Sequence, residues 1–592
     1  MNRREFLDLL SKTAVTASLS GCTSLSHLKT EDIYGSSPFG ETRILHFTDC
    51  HAQLNPIYFR EPNVNLGIGN ARGRPPHLVG QNLLEAIMAR GSLVSARDRY
   101  ALTYLDFTEA AEIFGRVGGF SHLATLIQKM RNEVAPGSSL LIDGGDTWQG
   151  SGTALWTLGQ DMVDATNLLK VDVMTGHWEF TYQDEQVLQN VERFNGEFVA
   201  QNVRATEDAL FEGVPVYDED TGHVFKPYTM KQLNGRRIAV IGQAFPYTPI
   251  ANPKRFIPDW TFGIQEGDLN TLVAEIRQNE KPDAIVLLSH NGMDVDVKLA
   301  SRVTGIDFIM GGHTHDGIPF ALEIDNSGGK TVVTNAGSNG KFLGVLDLSF
   351  SRNGVAGYRY RLLPVFANLL QADPAMDALI HKMRAPYLGQ LSEVLGTAGS
   401  LLYRRGNFNG TFDQVICDAL TTQLDAEISL SPGFRWGTSV LPGEEITLER
   451  VLDQTCMTYP ETYVREMRGE ELKFILESVC DNLFNPDPYY QQGGDMVRVG
   501  GLRYACSPNA GSGDRISDLE TLSGTPLDPN RTYKVAGWAT VGARSEGPAV
   551  WDVVADYLRD QQEIRVDDLN QPVLKGVSGN PGIAGYAGVI SS

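Results

Sequence analysis

The sequence is poor in cysteine, in long apolar runs and in concentrated positive charge, and each shortage closes off a class of protein. Six cysteines in 592 residues, with no CxxC or mixed Cys/His spacing, exclude a disulfide-built scaffold and a zinc knuckle. Cys417, Cys456, Cys480 and Cys506 fall in the C-terminal part and read as buried free thiols; an oxidising compartment would permit a bridge, whose pairing the sequence leaves open. No segment after the N-terminal leader is long and apolar enough for a transmembrane helix. Lys and Arg number 50 against 72 Asp and Glu, a formal net charge of -22, and no basic run is present. Nucleic acid phosphates would be repelled, so nucleic acid is not an expected partner. An anionic substrate needs local positive charge, which bound metal ions and a few arginines would supply. Internal repeats and low-complexity tracts are also lacking.

What is present begins with a leader. Arg3-Arg4 followed by Phe6-Leu7 looks like a twin-arginine export signal, and residues 1–40 read as signal and tether, which implies a periplasmic protein. Leu19-Ser20-Gly21-Cys22 resembles a lipoprotein processing box, leaving two outcomes open: a lipid anchor at Cys22 or cleavage near it.

From residue 43 to about 365, short apolar runs alternate with Gly-rich turns and helix-period segments, the grammar of an α/β domain. The runs Ile44–Phe47, Ser139–Ile142, Val171–Met174, Ile238–Ile241, Ala284–Leu288 and Phe308–Met310 read as buried strands. Leu123, Leu126, Ile127 and Met130 predict a helix after Ser121, a residue suited to a place near the N-cap. The boundaries that follow are a catalytic domain over 41–365, a linker helix within 366–395 and a smaller α/β domain over 396–592. The long segment 55–117 reads as a functional loop.

The ionisable residues fall just past the strand ends. Asp49 and His51 follow the first run, Asp146 the second and His177 the third; His290, His313 and His315 follow the last two. In α/β sheets the crevice beyond the carboxyl ends of the strands is where ligands bind. Aspartate offers hard anionic oxygen, neutral imidazole offers nitrogen, and one carboxylate can bridge two cations. In Asp49-Cys50-His51 and His313-Thr314-His315, extended chain would put the outer two residues on one side. Five of the eleven histidines share this pattern, too many for chance, and seven ligands suit two divalent ions that activate a bridging water. His46, inside the first strand, reads as a core histidine.

The order Asp-x-His, Gly-Gly-Asp, Gly-His-x-Glu, Ser-His and Gly-His-x-His resembles the calcineurin-like metallophosphoesterases. Gln201-Asn202 and Asn335-Ala336-Gly337 through Gly340-Lys341-Phe342-Leu343-Gly344 narrow the likeness to their 5′-nucleotidase branch. The resemblance implies a four-layer α/β/β/α metallophosphoesterase domain followed by a smaller C-terminal domain of 5′-nucleotidase type. It further implies Asp49, His51, Asp146 and His315 on one metal and Asp146, His177, His290 and His313 on the other. Arg435 stands where nucleotidases carry a substrate-binding arginine, and Arg is suited to bidentate recognition of a tetrahedral oxyanion. Arg404 and Trp178 are the other expected substrate contacts, with Asp146 and Arg435 the expected catalytic groups. The runs Arg404–Asn409 and Gly493–Arg498 are expected to line the interdomain cleft, and Glu179 to orient a ligand.

One departure sharpens the reading. Where the branch has Gly-Asn-His-Glu, this chain has Gly176-His177-Trp178-Glu179, so the family's proton-donating His is replaced by Trp178. This variant, with Asp143–Gly152 and Ser431–Gly437, is similar to the SoxB family. That likeness implies a dimanganese thiosulfohydrolase acting on a cysteine S-thiosulfonate of the carrier SoxYZ, although His and Asp ligands suit manganese, iron or zinc alike. A sulfur leaving group, whose acid has a pKa near ~8.5 or lower, tolerates the loss of a proton donor that an alkoxide needs. The alternatives are a periplasmic 5′-nucleotidase or nucleotide-sugar phosphohydrolase, and a metal-dependent binding protein without turnover.

Overall fold

A computed structural model describes residues 33–35, 37–542, 544–586 and 588–590. The leader motifs at Arg3-Arg4 and Cys22 lie outside the described residues. Among the described residues, no helix is long and apolar enough to cross a membrane.

Residues 42–364 build two six-stranded sheets. In the first, Thr42–Phe47, Ser139–Asp143, Val173–Met174 and Glu197–Phe198 run parallel, and Phe342–Ser351 and Gly354–Pro364 close one edge antiparallel. In the second, Arg236–Gln243, Ala284–Ser289, Phe308–Gly311 and Gly329–Asn335 are parallel, with antiparallel strands at both edges. Side-chain parity explains the layering. Ile44, Leu140 and Ile142 of one sheet pack with Ile238, Val240, Val286 and Leu288 of the other. The alternate residues Ala239, Ile241, Ile285 and Leu287 face the helices Glu266–Asn279 and Met293–Arg302. On the outer face of the first sheet, Phe47 meets Phe120 of the Phe120–Asn132 helix edge-on. Both faces of each parallel strand are covered, which is why these strands are continuous apolar runs. The result is the α/β/β/α arrangement.

Two local expectations are corrected. The Phe120–Asn132 helix starts from Gly119, and Ser121 lies inside its first turn. Segment 55–117 is not simply a loop: it contains helices at Gln81–Ala89, Ala96–Leu102 and Phe107–Phe114. Leu83, Leu84 and Ile87 form one small core there, and Tyr100, Phe107, Ala111 and Phe114 belong to another. The Pro and Gly content that suggested a loop is concentrated in the stretch around residues 62–80.

The C-terminal part holds two four-stranded sheets and one of three strands, packed with the helices Thr411–Gln423, Leu448–Thr455, Gly469–Phe484 and Val550–Gln561. Cys417, Cys456, Cys480 and Cys506 are buried and free. The segment at 58–67 is stitched into this half. Tyr58 pairs with Ser439 and Val64 with Ile583, the Leu66 amide donates to Asn407 Oδ1 at 2.7 Å, and Asn580 Nδ2 donates to the Gly67 carbonyl at 2.8 Å.

A fully buried cation anchors the first sheet. Arg43 Nε donates to Asp347 Oδ1 at 2.6 Å, and its Nη1 reaches the Met130 carbonyl and Glu133. Burial would depress the guanidinium, but Asp347 and Glu133 hold its pKa above the ordinary value. Replacing Asp347 with Leu leaves that buried charge with Glu133 as its remaining carboxylate among the described residues and should cost about 3 kcal/mol, read as a lower urea midpoint.

Candidate metal centre

The ends of the parallel strands in both sheets meet, and each is followed at once by a tight turn. Asp49, His51, Asp146, His313 and His315 all have positive φ, between 45° and 71°. This corrects the expectation of extended backbone at Asp49–His51 and His313–His315: the outer side chains converge because the chain kinks into the left-handed region. Such backbone costs a non-glycine residue about 1–3 kcal/mol and persists only where the surroundings enforce it.

The enforcing contacts are visible. Glu179 is fully buried, and its carboxylate accepts hydrogen bonds from four backbone amides. Oε1 takes Thr147 N at 2.8 Å and Trp148 N at 3.1 Å; Oε2 takes Asp146 N at 3.2 Å and His177 N at 2.9 Å. One side chain thereby ties the Asp146 turn to the His177 turn. Across the centre, the His313 amide donates to both Asp49 oxygens at 3.0 Å. His290 Nδ1 donates to the Gly144 carbonyl at 2.6 Å and His51 Nδ1 to the Gln149 carbonyl at 3.2 Å, which turns Nε2 of each ring toward the centre.

The structure brings all seven predicted side chains together in two buried groups, with donor atoms in each within 4.8 Å of one another. One comprises Asp146, His177, His290 and His313; the other comprises Asp49, His51, Asp146 and His315. Asp146 is shared, with Oδ2 at 3.0 Å from His290 Nε2, 3.3 Å from His177 Nδ1 and 3.7 Å from His51 Nε2. Among the described residues, neither ring nitrogen of His313 has a hydrogen-bond partner, nor has Nε2 of His177. Unpartnered buried nitrogens converging on carboxylate oxygens fit divalent cations, and the cluster can hold two.

Burial lowers the pKa values of His313 and His315 well below the imidazole range and that of His51 to about 4, leaving these rings neutral as ligands must be. Burial would lower His290 too, but Asp146 and Asp49 hold it up at about 10. Burial would raise Asp146, but His290 and His177 pull it well below the carboxylate range. Burial takes His46 down to about 3, and it lies at zero exposure in the core.

A cavity of about 150 Å³ opens onto the cluster, lined by Asp146, His177, His313 and His315 together with Trp178, Phe245, Phe434, Arg435, Trp436 and Gly493. Arg435 donates from Nη2 to the Gly494 carbonyl at 2.8 Å, while its Nη1 has no partner among the described residues. Gly493 crosses so close that a Cβ there would sit 2.2 Å from His313 Nε2. Arg404 is a correction: its guanidinium is spent on Asp413 at 2.7 Å, the Gln454 carbonyl at 2.6 Å and the Pro432 carbonyl at 3.1 Å. It holds the C-terminal fold together and is not free for a substrate. Phe245 was not anticipated; it stacks on His313 at 4.0 Å and meets His177 at 4.2 Å. The available signal was its place just past the Arg236–Gln243 strand, like the ligands themselves.

Comparison with known proteins agrees with this geometry. Residues 392–553 match the 5′-nucleotidase C-terminal domain model. The 5′-nucleotidase of Bos taurus is 24% identical over 466 residues, covering 71% of this chain and 76% of that protein. A 27% identity to the trifunctional nucleotide phosphoesterase protein YfkN of Bacillus subtilis covers 55% of this chain but only 22% of that protein. Among solved structures, the sulfate thiohydrolase SoxB of Thermus thermophilus, in complex with glycerol, is 35% identical, covers 91% of this chain and 98% of its own, and superposes with a TM-score of 0.83. A Thermus thermophilus 5′-nucleotidase precursor shares the fold at 20% identity and a TM-score of 0.69, over 90% of this chain and 99% of its own. Fold and site together define a hydrolase-type metallophosphoesterase of the 5′-nucleotidase branch. Within that branch, the chain belongs to the SoxB family.

Glu179 gives a test of the centre's construction. Glu179→Gln places an amide donor against backbone donors, so metal affinity should fall about 10–100-fold, measured by competition with a calibrated chelator.

Proposed function

We propose that this chain removes the terminal sulfonate from a cysteine S-thiosulfonate on the carrier SoxYZ, releasing sulfate during thiosulfate oxidation, with two manganese ions as its metals. The observation that carries this reading is Trp178 at the mouth of the cluster. Among the described residues lining that cavity, the only ionisable side chains are Asp146, His177, His313, His315 and Arg435. Four belong to the metal set and the fifth is a guanidinium, so no general acid faces the leaving group. That suits a sulfur leaving group, which needs no proton to depart, and does not suit an alkoxide.

When bound, the ions supply Lewis acidity that activates water and holds developing oxyanion charge. The chain's own residues do the rest. Asp146 bridges the two ligand groups. Arg435 turns the unpartnered Nη1 of a half-buried guanidinium to the sulfonate oxygens. Trp178, Phe245, Phe434 and Trp436 keep water from the sulfur chain. In this reading residues 41–365 hold the metals and 396–592 contribute Arg435. Residues 1–40 act as a twin-arginine leader and tether, with Cys22 a candidate lipid anchor, so that the folded protein is loaded with metal before reaching the periplasm.

The nucleotidase alternative draws on the identity to the bovine enzyme, but it needs an aromatic gap for a base. Phe434 and Trp436 are stacked on one another at 4.1 Å and 15°, which closes the gap between them.

The deciding assay gives the metal-loaded protein SoxYZ carrying the thiosulfonate and, separately, AMP. Sulfate should appear with the first and no phosphate with the second; phosphate without sulfate would overturn the proposal. Chelation of the metals, or Asp146→Asn, should abolish sulfate release.

A further inference from the structure

The segment Asn485–Asp495 crosses the cluster and divides its surroundings in two. It is held to the catalytic half by Lys298 Nζ on Asp487 Oδ1 at 2.5 Å and Tyr489 Oη on Glu266 at 2.7 Å. The aromatic cavity lies on one side of Gly493-Gly494. A second cavity of about 50 Å³ lies on the other, and His313, Arg435, Gly493 and Gly494 border both. The second cavity differs in chemistry: its walls carry His77, Asp294, Asp316, Arg405 and Arg435, with no aromatic ring other than imidazole. Through Ile68, Ala71, Asp294 and Gln491 it adjoins a third space of about 840 Å³, bordered by Arg74, Arg90 and Lys298 and by Glu323 and Asp325.

We propose that the small polar cavity is an oxyanion site on the exit path of the inorganic product, so that a tetrahedral dianion leaves past Arg405 while the organic product withdraws along the aromatic side. The proposal rests on the hydrolase reading alone: sulfate from a thiosulfonate and phosphate from a phosphoester are both tetrahedral dianions.

Three observations support it. First, the carboxylates in the wall are already engaged. Asp294 Oδ2 lies 2.8 Å from His77 Nε2, and Asp316 Oδ1 lies 3.4 Å from Arg405 Nη2. His77, Arg405 and Arg435 line the cavity against Asp294 and Asp316, and Asp495, 3.9 Å from Arg405 and 3.6 Å from Arg435, is a third carboxylate that the two arginines share, so the lining is charge-balanced and recognition falls to the guanidinium N–H groups. Second, Arg405 is 5% exposed, and among the described residues its Nε has no hydrogen-bond partner. Unpaired buried guanidinium donors are costly unless an acceptor visits them. Third, the volume suits the ligand. The space of about 50 Å³ is a few times the roughly 10–15 Å³ that a single water needs, room for a small compact ion and not for an organic group. The aromatic side offers a leaving dianion few donors, and moving an ion through it unpaired carries a steep desolvation cost.

The test has two arms. In the first, crystals of the metal-loaded full chain are soaked in sodium selenate and the selenium is located by anomalous scattering. A peak between Arg405 and Arg435, beyond Gly493-Gly494 from Trp178, is the expected result. Selenium only at the metals, only beside Trp178, or nowhere would overturn the site. Arg405→Gln should weaken selenate binding in calorimetry about tenfold, and unchanged affinity in that variant also counts against the proposal. In the second arm Ala71→Trp plugs the neck between the polar cavity and the larger space. Turnover is followed on whichever substrate the protein accepts, thiosulfonate-loaded carrier or AMP. The first turnover should keep its rate while later turnovers slow at least about tenfold, because release becomes limiting; an unchanged steady state in the folded variant rejects the exit path. Selenate binding needs no turnover, so failure of the carrier reading leaves this result interpretable, and the reverse holds as well.

Discussion

The site depends on a geometric constraint: two parallel sheets, packed face to face, end their strands at the same edge of the sandwich. The inter-sheet core fixes where those ends lie, and the chain must then turn within one or two residues for its side chains to face each other. Left-handed backbone at five of the seven cluster residues is the consequence. Strain of that kind survives only where other contacts over-determine the turn. Here those contacts are the Glu179 carboxylate, the pairing of the His313 amide with Asp49, and the carbonyls that fix His51 and His290. The same elements prepare the donors: burial holds the pKa values of His51, His177, His313 and His315 down, and the carbonyls beside Nδ1 of His51 and His290 aim Nε2 of each ring at the centre.

Around this frame the chain departs from the Gly-Asn-His-Glu pattern in what lines the cavity. Trp178 fills a position next to His177 and packs edge-on against Trp436 at 5.1 Å, joining the two halves through a hydrophobic contact. Where the resemblance implies a histidine, an indole forms part of the cavity wall. Of the two arginines expected at the substrate, Arg435 borders the cavity and Arg404 is engaged by Asp413 and two carbonyls.

The sequence made the strands and ligands legible for one physical reason. Strands buried on both faces are unbroken apolar runs, and ionisable residues immediately after such runs have few structural uses. Asp49 through His315 could be picked out on that basis. Backbone conformation was not legible: Asp-x-His is compatible with extended chain, and only the packing of the Gly145 and Asp146 turn against Asp49 and His51 imposes the kink. Arg404 and Arg405 illustrate a second limit. Adjacent arginines look interchangeable in a string of letters, yet one points into Asp413 and the other borders a cavity, a difference set by helix Thr411–Gln423, whose first turn supplies the carboxylate. The helices inside segment 55–117 were hidden because their apolar periods are short and flanked by Pro and Gly.

The stitching of residues 58–67 into the C-terminal half has a mechanical meaning. Tyr58 with Ser439, Val64 with Ile583, and Leu66 with Asn407 tie the N-terminal part to the C-terminal part at points other than the covalent connection through residues 366–395. Two ties resist rotation of one part against the other, so the metal cavity, whose wall draws Asp146 from one part and Arg435 from the other, keeps its spacing.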